Sequence, residues 1–176
     1  MSAHQHLRAA TRAAHDRVDA HFAGYDLAEA RQYRDFLLAH AVAFIPAEQA
    51  IEDAGGNAIP GFEGSRRSDA LLEDLSDLGL KPSQTRTFRA LQTWPEVLGS
   101  AYVLEGSRLG GAVLVRQVGA DLPRRFLSAR PPGGHWRAFI AYLDQHLADE
   151  RAIADATRSA LETFALFEPE AIGAGQ

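Results

Sequence analysis

The chain of 176 residues contains no cysteine. That excludes disulfides, thiolate-ligated heme, cysteine-bound iron–sulfur clusters, zinc fingers and cysteine nucleophiles. It leaves the redox compartment open. A basic excess is also missing: 18 Lys and Arg stand against 23 Asp and Glu, a net charge of −5. That balance argues against a general nucleic-acid binder. No uncharged apolar run reaches the length of a membrane span. The N-terminal MSAHQHLRAATRAAHD has no apolar core of the kind a signal peptide carries. The expectation is a cytoplasmic protein without nucleic-acid or membrane partners. Several chemical motifs are absent as well. There is no Gly-x-x-x-x-Gly-Lys-Ser/Thr, no Gly-x-Gly-x-x-Gly and no Gly-x-Ser-x-Gly, the usual pointers to P-loop, dinucleotide and serine-hydrolase chemistry. There is no His-Glu-x-x-His, and none of the seven histidines has a Glu three residues before it, so the Glu-x-x-His signature of di-iron bundles is missing too.

What is present reads as helix. Hydrophobic residues make up 46% and charged residues 23%, ordinary for one globular domain, taken as 1–176, able to bury a sizeable core. Residues 4–22 are rich in Ala, Arg and Leu, without Gly or Pro. Residues 27–52 carry Leu27, Phe36, Leu37, Val42, Phe44, Ile45 and Ile51, and Pro46 is expected to end or kink that helix. Gly55-Gly56-Asn57-Ala58-Ile59-Pro60-Gly61 is a breaker. A short helix is expected over 68–79, started by Ser68 and stopped by Gly79. Another is expected over 83–93, and Pro95 suits the first turn of the next. AYVLEGS and GAVLVRQV within 95–118 suit short strands by residue type; the all-helical context favours one long helix, bent at its glycines. SARPPGG over 128–134 is a loop, and 135–147 and 149–167 read as the last helices. The sum is an all-α fold of about seven or eight helices.

Two segments stand out. Arg8, Thr11, Arg12, His15 and Asp19 are spaced so that they share one helix face. Taken alone, that face reads first as solvated, with Asp19 paired to an arginine. The functional reading makes His15 a ligand whose other ring nitrogen is held by Asp19, directly or through water. The second segment is Tyr102-Val103-Leu104-Glu105-Gly106-Ser107-Arg108-Leu109-Gly110-Gly111. Glycines inside a helix cost about 1 kcal/mol each relative to Ala. Gly106 and Gly110 are four apart and leave one face without side chains, suited either to a close helix crossing or to a flat ligand lying against the backbone. The remaining histidines give weaker patterns. His146 and Glu150 read as surface electrostatics, His4 and His6 as lying at a frayed end, and His21 and His40 as lacking a partner pattern. Trp94 and Trp136 read as packing residues.

Together, LRAATRAAHDRVD (7–19) and YVLEGSRLGG (102–111) resemble the two signature regions of the heme oxygenase family, in the family's order and separation. The C-terminal ATRSALETFALFEPEAI is similar to that family's last helix, and the bacterial members look closest. The resemblance implies a heme sandwiched between a proximal helix and a kinked distal helix. His15 falls on the proximal iron ligand and Asp19 on the acidic residue linked to it. Arg8 and Arg12 fall on basic residues near the heme propionates, with Thr11 in the same motif. Gly106 and Gly110, with the adjoining Gly111, fall on the distal wall. Tyr102 and Arg137 are placed within reach of the propionates. Ser107 stands where many members carry an aspartate that organises water near bound oxygen; Arg108 or another polar residue is then expected to take over that task.

The implied reaction consumes O2 and electrons from a reductase or ferredoxin and cleaves heme to biliverdin, Fe2+ and CO. The protein's share is orientation and exclusion of side reactions. Iron acquisition and chromophore supply to a bacteriophytochrome are the implied purposes. Ser107 keeps a non-catalytic heme-binding or trafficking protein of the same fold as the alternative. A helical domain without heme and a thiaminase-like relative are weaker readings, the latter because some of those enzymes use a cysteine.

Overall fold

Ser2 opens the first helix. Its hydroxyl accepts from the Gln5 amide while the Gln5 side chain accepts from the Ser2 amide, a reciprocal cap that satisfies two otherwise orphaned donors. Helix α1 then runs Ala3–Phe22. Its first turn is fastened from outside, because the His4 amide donates to Asp144 at 2.9 Å and the His4 ring packs edge-on to Tyr102 and Trp136. The expected frayed end is therefore docked. The computed structural model describes residues 1–62, 66–83, 85–129 and 133–169.

Helix α2, Ala30–Asp53, is capped by Glu29, whose carboxylate accepts from the Arg31 and Gln32 amides. Of the two outcomes expected at Pro46, an end or a kink, the end does not occur. Proline has no N–H to give to the carbonyl four residues back, and that acceptor, Val42, instead takes the Arg86 amide at 2.9 Å. This docking also explains why 83–93 is not the expected helix. Its described residues run without helical structure, with one backbone N–H spent on α2. The Arg86 guanidinium donates to the carbonyls of Ala165, Leu166 and Glu168, placing a cation at the negative end of the last helix.

The glycine breaker holds: Gly55 and Gly61 adopt φ of +87° and +79° around the 3-10 turn Gly56–Ala58. Helix α3, Arg67–Asp77, starts one residue earlier than expected, and its cap is not Ser68. Glu48, buried on α2, accepts from the Arg67 and Ser68 amides at 3.0 and 2.9 Å. Gly79 stops the helix in the left-handed region, as its sequence position implies.

Helix α4, Trp94–Leu114, has a second reciprocal cap, Thr93 with Glu96, and Pro95 in its first turn. It is continuous through all its glycines, and no strand occurs among the described residues. Short α5, Arg125–Ser128, is tied to α3 by buried Asp74, which accepts from the Arg125 and Phe126 amides. Helices α6, His135–His146, and α7, Glu150–Phe167, complete the fold.

Helix α4 lies along α7, and α1 packs on α7 and α6. The α4–α7 approach is made by Gly99: a Cβ there would stand 2.0 Å from the Ala156 carbonyl oxygen. Beside it the hydroxyls of Ser100, Ser159 and Thr163 form a buried chain with separations of 2.8 and 2.9 Å. Tyr33, Phe36, Phe44, Phe126 and Phe139 are the largest fully buried side chains.

Candidate functional site

A cavity of about 820 Å³ separates α1 from α4. That size suits a cofactor-sized ligand. Its α1 wall carries all five residues of the N-terminal constellation: Arg8, Thr11, Arg12, His15 and Asp19. His15 Nδ1 lies 3.2 Å from the Asp19 carboxylate, and the ring meets Phe164 edge-on. A carboxylate can only accept, so this contact places the proton on Nδ1 and leaves the Nε2 lone pair available to a metal. Arg8 and Arg12 are exposed at the rim, and Arg12 is only loosely paired with Asp16 at 3.9 Å. Thr11 is buried and donates to the Leu7 carbonyl at 2.7 Å.

The α4 wall explains the glycines. A Cβ at Gly110 would meet nothing within 4 Å, and one at Gly106 would meet only the far edge of Trp136 at 3.7 Å. Neither glycine is there for a helix crossing; that task belongs to Gly99. Gly106 and Gly110 instead leave bare backbone along the cavity, opposite His15. Gly111 also borders the cavity, although its missing side chain would point at Leu127 of α5. Tyr102 borders it too. Burial raises the pKa of its hydroxyl, and the nearby Thr11 hydroxyl and Arg8 charge moderate that rise.

Two expectations of position are corrected. Arg137 is exposed on α6 and does not line the cavity; the residue of that turn that does is its neighbour Trp136, expected only to pack. Arg108 does not face the cavity either. It is buried on the back of α4, where its Nε donates to Glu105 at 2.9 Å, and Glu105 also meets His135 Nε2 at 2.5 Å.

Ser107 lines the cavity, but its hydroxyl is committed. It donates to the Leu104 carbonyl at 2.7 Å and accepts from Arg67 Nη1 at 2.7 Å. Arg67 itself went unnoticed in the sequence, where it is one of two arginines before Ser68. It enters the cavity wall from the start of α3, 3% exposed, with its guanidinium 4.8 and 4.7 Å from the ring centres of Phe44 and Phe126. Burial, then the nearby Arg108, lower it to about 9, so it keeps its charge at neutral pH.

His40 was also missed. Its Nδ1 lies 3.0 Å from the Phe36 carbonyl, one turn back, so Nδ1 carries the proton and Nε2 is an acceptor. Phe22 and Phe36 flank the ring at 4.1 and 4.2 Å. Burial pushes its pKa down to about 4, against the opposing pull of the Phe36 carbonyl. Only its spacing of four from Phe36 hinted at this in the sequence.

Among the described residues no three His, Asp or Glu side chains come together to hold a bare metal ion. A metal at His15 must therefore arrive with most of its own ligands. One imidazole, a facing strip of bare helix backbone, an aromatic interior and arginines at the rim suit a flat metal macrocycle with acidic substituents.

These features define an all-helical domain whose cavity is set between a histidine-bearing helix and a glycine-bearing helix. No protein-family model matches the chain. Curated relatives do. The chain is 33% identical over 124 residues to heme oxygenase PigA of Pseudomonas aeruginosa, a match spanning 65% of this chain and 63% of PigA. It is 36% identical over 114 residues to a heme oxygenase of Xanthomonas campestris pv. campestris, covering 61% of this chain and 68% of that protein. The crystal structure of the NO- and CO-bound heme oxygenase from Neisseria meningitidis superposes with a TM-score of 0.81 at 30% identity, over 95% of this chain and 88% of that one. The chain belongs to the heme oxygenase family.

Proposed function

We propose that this protein is a heme oxygenase that binds heme between α1 and α4 and cleaves it to biliverdin, Fe2+ and CO with O2 and an external electron donor. One observation carries the reading: the His15–Asp19 pair faces the open glycines Gly106 and Gly110 across a single cavity. The residues fit the group. His15 Nε2 would hold the iron, and Asp19 fixes the ring's tautomer. Arg8 and Arg12 hold the propionates; a carboxylate gains most from a guanidinium, which presents two donors in one plane. Gly106 and Gly110 admit the porphyrin face and a diatomic ligand with no side chain in the way. Bound heme supplies the iron at which O2 is reduced and the macrocycle that is oxidised. The aromatic interior excludes water from the far side, where Phe44 and Phe126 stand.

A reductase or ferredoxin serves as donor, and biliverdin is used for iron release or as chromophore for a bacteriophytochrome. No helix among the described residues is long and apolar enough to cross a membrane, and a cytoplasmic site of action is part of the same proposal. Ser107 favours the second reading, a heme carrier without turnover.

One cuvette separates these. Hemin titration into the protein is expected to give a Soret band that is altered in His15→Ala. Ascorbate or a reductase under O2 is then expected to replace it with biliverdin absorption in the red. A stable Soret complex with either donor supports the carrier. No Soret shift in the unsubstituted protein defeats both readings.

A further inference from the structure

Of Ser107, Thr11, His40 and Arg67, four polar side chains that line the cavity, three have no hydrogen left to give to it. Ser107 has spent its hydroxyl hydrogen on the Leu104 carbonyl, and Thr11 has spent its own on the Leu7 carbonyl. His40 offers only the acceptor Nε2, because Nδ1–H faces the Phe36 carbonyl. Gly106 and Gly110 carry no side chain. Arg108 lies on the back of α4 and does not border the cavity. Arg67 remains. Its Nη1 is used by Leu104 and Ser107, at 3.1 and 2.7 Å, its Nε is enclosed without a hydrogen-bond partner, and its Nη2 takes part in no hydrogen bond among the described residues.

Its charge has no direct counter-ion either. The two oxygens of Glu48 accept the Arg67 and Ser68 backbone amides, and Glu105 Oε2 is shared by His135 and Arg108. The guanidinium rests against the rings of Phe44 and Phe126, which themselves meet edge to face at 5.2 Å, and these contacts hold its orientation. A buried guanidinium with unmet N–H groups in a cavity wall, beside an imidazole whose Nε2 can only accept, is arranged for something that enters the cavity.

We propose that Arg67 is the distal hydrogen-bond donor of this cavity, binding through Nη2 the water or small oxygen or anion ligand that would occupy the open side of the heme, with Ser107 only positioning it. The proposal rests on the heme reading above. It assigns the distal role to a residue of α3 rather than to the α4 position after Gly106 or to Arg108.

Fluoride tests it, since ferric heme takes this anion and a distal N–H donor strengthens its binding. Hemin is first titrated into the unsubstituted protein, Arg67→Met and Ser107→Ala; then fluoride affinity of each ferric complex is read from the visible spectrum. Loss of one charge-assisted hydrogen bond is expected to weaken fluoride about ten- to a hundred-fold in Arg67→Met. Ser107→Ala, which keeps the Arg67 bond to Leu104, is expected to shift it by less than about threefold. Equal fluoride affinity in Arg67→Met and the unsubstituted protein overturns the proposal while leaving heme binding intact. A loss in Ser107→Ala as large as in Arg67→Met also overturns it, in favour of Ser107. Absence of a Soret complex in the unsubstituted protein removes the heme reading and this inference with it. Should Arg67→Met not fold, Arg67→Gln keeps a polar head without the positive charge, and unchanged fluoride affinity there is equally fatal.

Discussion

The His40 ring borders the cavity yet sits among aromatic side chains, and that burial has a consequence for acid stability. Its pKa is pushed down to about 4 in the folded protein against 6.5 in the unfolded chain. The unfolded chain therefore binds the extra proton, and the stability this group contributes is complete above pH 6.5. It is lost as the pH falls from 6.5 toward 4, with a slope approaching about 1.4 kcal/mol per pH unit. Urea unfolding between pH 7 and pH 4.5 is expected to show that loss and His40→Phe to flatten it; an identical slope in both proteins contradicts the assignment. At this scale legibility was uneven. The His15–Asp19 pair and the arginines of α1 were readable, because their spacing alone puts them on one face. Arg67 and His40 were not, because beyond the spacing of four between His40 and Phe36 the deciding partners lie on other elements: Ser107 and Phe126, with Phe44 of α2, for the one, Phe22 and Phe126 for the other.

Among the elements, α4 separates two uses of glycine that one sequence cannot tell apart. Gly99 admits α7, so Gly99→Ala forces a methyl into the Ala156 backbone and is expected to cost about 2–3 kcal/mol of stability. Gly110 faces open space, so Gly110→Ala is expected to add about 1 kcal/mol to the heme-free protein through helix propensity while weakening hemin binding. Thermal melts and hemin titrations of the two variants check this; a destabilised Gly110→Ala would mean the distal wall is packed rather than open. Boundaries followed local chemistry where it was sufficient, as at Gly79 and Pro95. They failed where a distant residue decided. Pro46 did not end α2, because Arg86 supplies the bond that proline cannot return. Residues 83–93 have helical composition, but their contacts to α2 and α7 outweigh it. The segment 128–134 was expected as a loop, and 130–132 within it lie outside the described residues.

For the molecule as a whole, the all-α architecture and the pairing of the N-terminal helix with the glycine-bearing helix were legible, because two local patterns had to face each other to make chemical sense. The order in which the other helices pack was not, since it depends on contacts such as Gly99 with Ala156. The non-helical segment 85–91 has the most distributed influence. By closing the open hydrogen bond of α2 at Val42 and capping α7 with the Arg86 side chain, it ties together the two helices that carry His40, Phe44, Phe164 and Phe167 around the cavity. In hydrogen exchange, the Arg86 amide is therefore expected to behave as a core position despite its irregular backbone, exchanging only on global opening. An amide exchanging as fast as an exposed loop would show that α2 tolerates its gap unaided. If it is protected, the hydrogen bond that Pro46 leaves open in α2 is completed by a residue forty positions downstream, and the cavity floor takes its final shape only after that segment has come home.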